Sequence, residues 1–320
     1  MTDSVTRRAL CLGFGASALC GSSAFAGRQR ARSQSSIALG TTVRVQAIAG
    51  DAGIADAACA AAIAAIHRVE RLMSLYDAQS EISRLNRHGS VARPDAWTVA
   101  VLRQAQAHAA RSDGGFDVTV QPLWRLFRLH ADRGVLPSED DVAAVRSLVG
   151  WRGLQVDEAG LRLARPGMAV TLNGIAQGFA ADRACEAMRA AGALAGLVDA
   201  GELASLGRAL SGDPWSVALQ VPHHAREERI ALDTCVATSA DSPSHFSADR
   251  RHHHIFDPHS GWSPTSLSAV SVVASTATQA DAWSTAIMVG GERLARHALA
   301  RREVQRVWLV DKQGRASWLA

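Results

Sequence analysis

The sequence predicts an α+β fold, in which helices pack against a mixed β-sheet in a single domain that could be divided into two lobes. Two patterns lead to this prediction. Apolar residues recur with the helical period in several segments, as at Ile63, Ile66 and Val69, whereas residues 215–221 are apolar at every second position, as in a strand. The chain has 320 residues, of which 48% are hydrophobic, so it can bury a substantial core.

The boundaries of the predicted elements follow from these periods and from turn residues. Ser138 is the expected N-cap of one helix, because Asp141 follows three residues later, as in a capping box. The predicted helices are residues 55–75, 97–111, 122–129, 138–149, 174–191, 280–289 and 292–301. The predicted strands are residues 41–48, 154–156, 161–164, 168–172, 194–199, 215–221, 229–238, 267–275, 304–310 and 316–319.

The N-terminal segment has the features of an export signal. Arg7 and Arg8 precede a short apolar run, and residues 24–26 form an A-x-A cleavage pattern. The paired arginines favour the twin-arginine route and a periplasmic location, with membrane association left open; a Sec signal or a retained anchor is the alternative. The predicted divisions are an export signal at 1–26, a polar linker at 27–36 and the folded domain at 37–320.

Charge and cysteine content exclude several classes of protein. The net charge is only +4, and much of the basic excess lies before residue 37, so a nucleic-acid partner is not predicted. Cys59, Cys185 and Cys235 follow the signal at scattered positions, which is typical neither of a disulfide framework nor of a zinc site. We expect them to be small buried side chains.

Residues 280–286 (ADAWSTA) are a candidate metal site. On a helix, Asp281, Ser284 and Thr285 share one face because they are three and four residues apart. One carboxylate and two hydroxyls suit a hard cation such as Mg²⁺, which completes its coordination with water and substrate phosphate. The same spacing is compatible with Asp281 acting only as a helix cap, so the pattern alone leaves both interpretations open.

A second segment, residues 171–184 (TLNGIAQGFAADRA), is a candidate phosphate site. A predicted strand leads into a helix, and Gly174 and Gly178 allow close approach to the backbone. Free N–H groups at the start of a helix favour phosphate. An ordinary strand-to-helix turn is the alternative.

Further segments supply candidate side chains, each with a structural alternative. His254 is the best candidate for proton transfer or phosphate contact in the run 252–254, because three adjacent histidines in a strand point to opposite faces and cannot all bind one metal. Tyr76, the only tyrosine, could stack on a ring system or merely cover the core. Thr238 and Ser239 could contact phosphate or cap a turn.

Taken together and in this order, these segments resemble the ApbE family of FAD:protein FMN transferases, which has a fold related to the T-fold. The resemblance covers about residues 39–310. It is carried by eight collinear blocks, GTTVRV, MSLYDAQSEISRLN, DGGFDVTVQPL, TLNGIAQGFAADRA, GLVDAGELASLG, VATSADS, HHIFDPHSG and SVVASTATQADAWSTAIMVGG.

The resemblance implies roles for individual residues. The metal ligands would be Asp281, Thr285, Ser284 and, through its carbonyl, Gly174. His254 would activate the acceptor hydroxyl, with Asp257 beside it as a second catalytic residue. The residues that would contact the flavin nucleotide are Leu39, Tyr76, Gly115, Phe116, Asp117, Thr171, Asn173, Gln177, Thr238, Ser239 and Phe256.

The resemblance also implies the reaction and its partners. FMN would be transferred from FAD to a Thr or Ser hydroxyl of an acceptor protein, with release of AMP and a requirement for Mg²⁺. The acceptor would carry an Asp-Gly-Ala-Thr/Ser-like motif and belong to a membrane respiratory flavoprotein. Two alternatives are an FAD pyrophosphatase that yields FMN and AMP, and a non-catalytic periplasmic flavin-binding protein.

The chain departs from its relatives near the candidate phosphate site. Many relatives have Asp at the position of Thr171, Gly at that of Asn173, and Lys or Glu at that of Gln177. The usual Gly-Gly after the next strand is Gly201-Glu202 here. These changes remove a carboxylate from the site, and Glu202 is the residue that could restore one.

Overall fold

The structure is a computed structural model that describes residues 29–222, 227–242, 244–247 and 249–320. The predicted export signal at 1–26 lies outside the described residues. The helices are α1 (Ala52–Met73), α2 (Glu81–His88), α3 (Ala96–Arg111), α4 (Gln121–Ala131), α5 (Glu139–Arg146), α6 (Ala176–Ala190) and α7 (Ala277–Ala300). The strands are β1 (Arg30–Ala38), β2 (Thr41–Ala49), β3 (Ser90–Ala92), β4 (Leu154–Val156), β5 (Gly160–Leu163), β6 (Ala195–Asp199), β7 (Leu203–Leu206), β8 (Trp215–Gln220), β9 (Glu227–Leu232), β10 (Cys235–Ala240), β11 (Leu267–Ala274), β12 (Arg306–Asp311) and β13 (Ala316–Leu319).

An eight-stranded sheet organises the fold, with the spatial order β1-β2-β6-β7-β10-β11-β12-β13. The predicted α+β class is confirmed. All the described pairings in this sheet are antiparallel, whereas a mixed sheet was expected. Short connections explain part of the difference, because strands joined by a tight turn can pair only antiparallel.

Residues 30–36 of the segment predicted to be a linker belong to a strand. β1 pairs with β2 along its whole length, from Arg30 opposite Ala49 to Ala38 opposite Thr41. The connecting residues, Leu39 and Gly40, both have positive φ (54° and 73°), as a two-residue hairpin turn requires. The polar composition of this segment therefore reflects an exposed edge strand and not a lack of structure.

At three other places the secondary structure differs from the predicted elements. Residues 168–172 form no strand, although Met168, Val170 and Leu172 are buried. The predicted strand at 229–238 is divided between β9 and β10. The two predicted C-terminal helices are joined in α7, which is kinked at Gly291, where φ is 65°. Glycine tolerates this conformation because it has no Cβ.

Helices α1, α6 and α7 cover one face of the sheet, and the β8–β9 hairpin covers the other. Alternation along β2 shows the two faces, since Ala47 belongs to the helical side and Ile48 to the hairpin side. α1 is long and apolar enough to cross a membrane, but in this fold it packs against α6, β1 and β2. The second sheet, β3-β5-β4, shares the core of the helical side through Val91 and Leu161, so both parts form one domain.

The three cysteines of the domain are buried and free, as expected. The capping box at Ser138 and Asp141 is also present, and it begins α5.

Candidate active site

The first half of α7 carries the predicted metal-binding residues. Asp281 and Ser284 are buried and Thr285 is half-buried, all within one turn of the helix. The helix begins four residues before Asp281, at Ala277, and its N-cap is Thr276, whose side chain accepts a hydrogen bond from Gln279 N–H. The alternative that Asp281 is only a helix cap is therefore wrong.

Strand β10 meets this turn through Ser239. The Ser239 hydroxyl lies 2.8 Å from the Ser284 hydroxyl and 3.1 Å from the Thr285 hydroxyl. On the other side lies Gly174, two residues before α6. A Cβ at Gly174 would lie 2.7 Å from Thr285 Oγ1 and 3.3 Å from the ring of Phe116. The backbone of Gly174 therefore contacts Thr285 in a space that admits no side chain.

The Asp281 carboxylate is held between α6 and α7. Its Oδ2 accepts a 3.0 Å hydrogen bond from Gly178 N–H. Burial raises the pKa of Asp281 to about 7; the Gly178 N–H opposes this rise, and the nearby Asp182 carboxylate adds to it. An opposite charge close to Asp281 would favour its ionised form, so this position suits a cation.

The donor set at this position is mainly oxygen. It comprises the Asp281 carboxylate, the hydroxyls of Ser239, Ser284 and Thr285, and the backbone of Gly174. Within the described part of the chain, no group of three or more His, Cys, Asp or Glu side chains could hold a metal. A set of one carboxylate with hydroxyl and carbonyl oxygens is the kind that Mg²⁺ accepts, together with water and phosphate.

Glu202 lies in the same region. Its side chain is only 8% exposed, and Oε2 accepts a 2.9 Å hydrogen bond from the N–H of Thr238, the neighbour of Ser239. Burial raises the pKa of Glu202 well above its ordinary value, and the negative charge of Asp281 raises it further. The sequence indicated Glu202 only as a departure from its relatives, with no position.

A cavity of about 580 Å³ opens beside Asn173 and Tyr76. Tyr76 is 78% exposed, so it does not cover the core, which was the alternative to a ligand-stacking role. Trp124, Arg87 and Arg125 also line this cavity. Its volume is in the range of small-molecule sites, and it combines an aromatic wall with two guanidinium groups.

The Gly115–Phe116–Asp117 segment lies beside this site, with different contacts for each residue. Phe116 is buried against Gly174, and Gly115 packs against α7. Asp117 is buried and accepts hydrogen bonds from Thr119 N–H, from the Thr119 hydroxyl and from Trp151 N–H. Burial raises the pKa of Asp117 in spite of these bonds. These hydrogen bonds hold the loop, and Asp117 also lines a second cavity of about 250 Å³.

In the segment 252–261, His254 is the candidate for proton transfer, whereas Asp257 and Phe256 have contacts that support the local structure. His254 Nδ1 lies 3.1 Å from the Ser244 carbonyl oxygen. Because a carbonyl only accepts, Nδ1 carries the proton and Nε2 has the lone pair in the neutral ring. The Asp257 carboxylate accepts from His259 N–H and so closes the Asp-Pro turn. Phe256 is buried against Phe127, with ring centroids 5.0 Å apart.

The remaining residues predicted to contact the nucleotide have contacts with other parts of the domain. The amide of Gln177 lies against Gly201, where a Cβ would be 2.3 Å from Nε2. Leu39 is in the β1–β2 turn and donates its N–H to Glu70 at 2.7 Å. Thr171 donates its N–H to the Val118 carbonyl at 2.8 Å.

Comparison with known proteins gives the family. The family model described as ApbE family matches residues 39–308, most of the chain. The chain belongs to the ApbE family. It is 30% identical over 302 residues to a protein of Salmonella typhimurium named FAD:protein FMN transferase, covering 88% of this chain and 85% of the relative. A Vibrio cholerae protein with the same name is 32% identical over 232 residues, covering 69% of each chain.

Solved structures of the ApbE family share the fold. The ApbE protein from Thermotoga maritima superposes with a TM-score of 0.80 at 27% identity, covering 90% of this chain and 96% of that structure. The apo form of the Pseudomonas stutzeri flavinyl transferase ApbE gives a TM-score of 0.78 at 27% identity, covering 91% and 94%.

In this ApbE-family chain, sequence reasoning missed the three cavity residues Arg87, Trp124 and Arg125. Arg125 lies in the predicted helix 122–129, and Arg87 lies in a segment for which no element was predicted. An arginine in either place is usually solvated, so the sequence has no signal that separates these two from surface residues. Their positions became evident only from the packing of α2 and α4 around the cavity.

Proposed function

We propose that this chain is an FAD:protein FMN transferase that uses Mg²⁺ and transfers FMN to a Thr or Ser hydroxyl of an acceptor protein. The observation that carries the proposal is the meeting of Gly174 and Ser239 at Thr285, one helical turn after the buried carboxylate of Asp281. Relatives that carry this activity in their names, matched over most of the chain, support it.

The residues that meet here offer oxygen atoms, which suit Mg²⁺. Asp281, Ser284, Thr285 and the Gly174 carbonyl would hold Mg²⁺, because the three side chains share one turn of α7 and the Gly174 backbone packs on Thr285. When bound, Mg²⁺ would supply Lewis-acid stabilisation of the charge that develops on the pyrophosphate. The buried Asp281 gains an opposite charge in this arrangement, which offsets the cost of its desolvation.

The transfer breaks one phosphoanhydride bond of FAD and forms one phosphoester bond to the acceptor. The acceptor oxygen forms a bond to the phosphorus of FMN, and the pyrophosphate bond to the AMP phosphate breaks, so AMP leaves with the bridging oxygen. The hydroxyl proton passes to Nε2 of His254, whose Nδ1–H is held by the Ser244 carbonyl. Positioning and charge neutralisation supply most of the acceleration in such reactions.

The 580 Å³ cavity is the proposed site for part of the FAD molecule. Tyr76 offers an aromatic face for stacking, and Arg87 and Arg125 offer positive charge to phosphate. Asn173 lies at the border between this cavity and Gly174, and so between bound nucleotide and metal. The other proposed nucleotide contacts are Leu39, Gly115, Phe116, Asp117, Thr171, Gln177, Thr238, Ser239 and Phe256, and Asp257 would assist His254.

The cellular context is proposed from the sequence. The paired arginines and the A-x-A pattern support export by the twin-arginine route to the periplasm. A periplasmic domain of a membrane respiratory flavoprotein, with an Asp-Gly-Ala-Thr/Ser-like motif, is the proposed acceptor.

Mass spectrometry tests the proposed function directly. The full chain is incubated with FAD, MgCl₂ and a protein domain that carries the acceptor motif. We expect an FMN-sized mass increase on the acceptor and one AMP released for each modification. Release of AMP and free FMN without modification of the acceptor would instead indicate an FAD pyrophosphatase. Bound flavin with no AMP would contradict both enzymatic functions.

A further inference from the structure

We propose that Glu202 supplies the second negative charge of the Mg²⁺ site, and that the Glu202–Asp281 pair binds a divalent cation before FAD arrives. This inference rests on the proposed function, since it concerns the same metal. It adds a residue that lies outside α7 and outside the predicted set of ligands.

Two independent series of contacts connect Glu202 to the proposed metal site. Through β10, Oε2 of Glu202 accepts from Thr238 N–H at 2.9 Å, and the next residue, Ser239, contacts both Ser284 and Thr285 of α7. The position of the Glu202 side chain is thus tied to the strand that contacts the metal-binding turn.

The second series of contacts runs through α6. Gly201, with φ 97°, packs so closely on Gln177 that a Cβ would lie 2.3 Å from the amide. The residue after Gln177 is Gly178, whose N–H donates to Asp281. Glu202 is therefore connected from both sides to residues that contact Asp281, Ser284 and Thr285.

Two buried carboxylates need a positive partner or a proton. Among the residues that the structure describes, no lysine, arginine or histidine forms an ion pair with Glu202 or Asp281. Buried charges in proteins are paired or coordinate metals. A divalent cation would match the combined charge of the two carboxylates in their ionised form, and the Thr285 hydroxyl packed against Gly174 would add an oxygen.

The test measures metal affinity in the absence of nucleotide, with Mn²⁺ as the probe for Mg²⁺. The EPR signal of free Mn²⁺ is followed as the full chain is added, for wild type and for Glu202→Gln. The glutamine keeps the shape and can still accept from Thr238 N–H, so only the charge is lost. We expect an affinity roughly 10- to 100-fold weaker, the usual effect of losing a residue that supports a metal site.

The control is Glu81→Gln. Glu81 is buried to the same extent as Glu202 and also accepts a backbone N–H, that of Asp95 at 3.0 Å, but it lies on α2. We expect this variant to bind Mn²⁺ as wild type does. Thermal melting of each variant checks the fold, and if Glu202→Gln does not fold, Glu202→Asp, which keeps the charge, is compared with Glu202→Ala.

The outcomes separate this inference from the proposed function. If Glu202→Gln binds Mn²⁺ as tightly as wild type while Asp281→Asn does not, the role of Glu202 is refuted and the metal site stands. If wild type binds no Mn²⁺ alone yet releases AMP from FAD with Mg²⁺, the inference also fails and the proposed function stands. If wild type neither binds Mn²⁺ nor uses Mg²⁺ with FAD, both are overturned.

Discussion

The backbone N–H of Gly178 donates a 3.0 Å hydrogen bond to the carboxylate of Asp281, joining α6 to α7 at the candidate metal site. The two residues are 103 positions apart in the sequence. The helices approach closely here because Gly178 has no side chain, since a Cβ at this position would lie 2.2 Å from the Ala277 carbonyl oxygen.

The first prediction concerns this close approach. Gly178→Ala should force α6 and α7 apart, because the added methyl would meet rigid backbone, and overpacking of this kind costs about 1–3 kcal/mol. Urea denaturation followed by circular dichroism measures the loss. Gly50→Ala is the matched control, because no atom lies within 4 Å of the added Cβ, and it should leave the midpoint nearly unchanged. Equal midpoints for both variants would contradict the packing argument.

A second prediction concerns Gly174. Gly174→Ala should displace the Thr285 hydroxyl, which would lie 2.7 Å from the new methyl group. Since a shift of about 1 Å in a reacting group can lower a rate about 100-fold, we expect AMP release to fall on that scale. The double variant Gly174→Ala/Thr285→Ala should recover stability without recovering activity. Recovery of both would show that Thr285 does not bind the metal.

The proposed base leads to a third prediction. His254→Gln should lower FMN transfer by roughly 10²- to 10⁴-fold, the usual contribution of a general base, while FAD binding measured by fluorescence titration stays the same. His88→Gln, at the exposed end of α2, serves as the control and should transfer FMN as wild type does. A His254→Gln enzyme with wild-type turnover would exclude His254 as the base.

A fourth prediction concerns acid stability and a buried histidine that has no proposed role in the reaction. Burial lowers the pKa of His108 from 6.5 to about 3, and the positive charge of Arg111 contributes to this decrease. Between these values the unfolded state binds a proton at His108 that the folded state does not. Above pH 6.5 His108 is neutral in both states and does not affect the free energy of unfolding through its charge. As the pH falls below 6.5, proton binding to the unfolded state lowers the free energy of unfolding by up to about 1.4 kcal/mol per pH unit.

The variant His108→Phe isolates this effect. The ring stands edge-to-face with Phe116 and Trp283, and phenylalanine can keep both contacts. Buried carboxyls with raised pKa, such as that of Asp182, act in the opposite direction, but they are common to both proteins and cancel in the difference. The free energy of unfolding of wild type relative to the variant should fall from pH 6.5 to pH 4. A constant difference would contradict the assignment.

The helical turn that carries the candidate metal ligands was predicted well because it is local. Asp281, Ser284 and Thr285 share a face through helical spacing alone, and the structure confirms the helix. The polar edge strand at Arg30–Ala38 was missed for the opposite reason. Its regular structure comes from pairing with β2 and not from apolar alternation, which is the signal that a strand prediction uses.

The sequence by itself determined the α+β class, most of the helices, and the collinear motifs that correctly indicated the family. Local spacing and turn chemistry suffice for these, because they act over a few residues. Only the tertiary structure decided that Ser239 meets Thr285 across 46 positions, and that Glu202 accepts from the N–H of Thr238, the residue before Ser239. Sheet order and helix packing decide such contacts. They also change the electrostatics of Asp281, since burial and the nearby Asp182 carboxylate raise the free energy of its charged form.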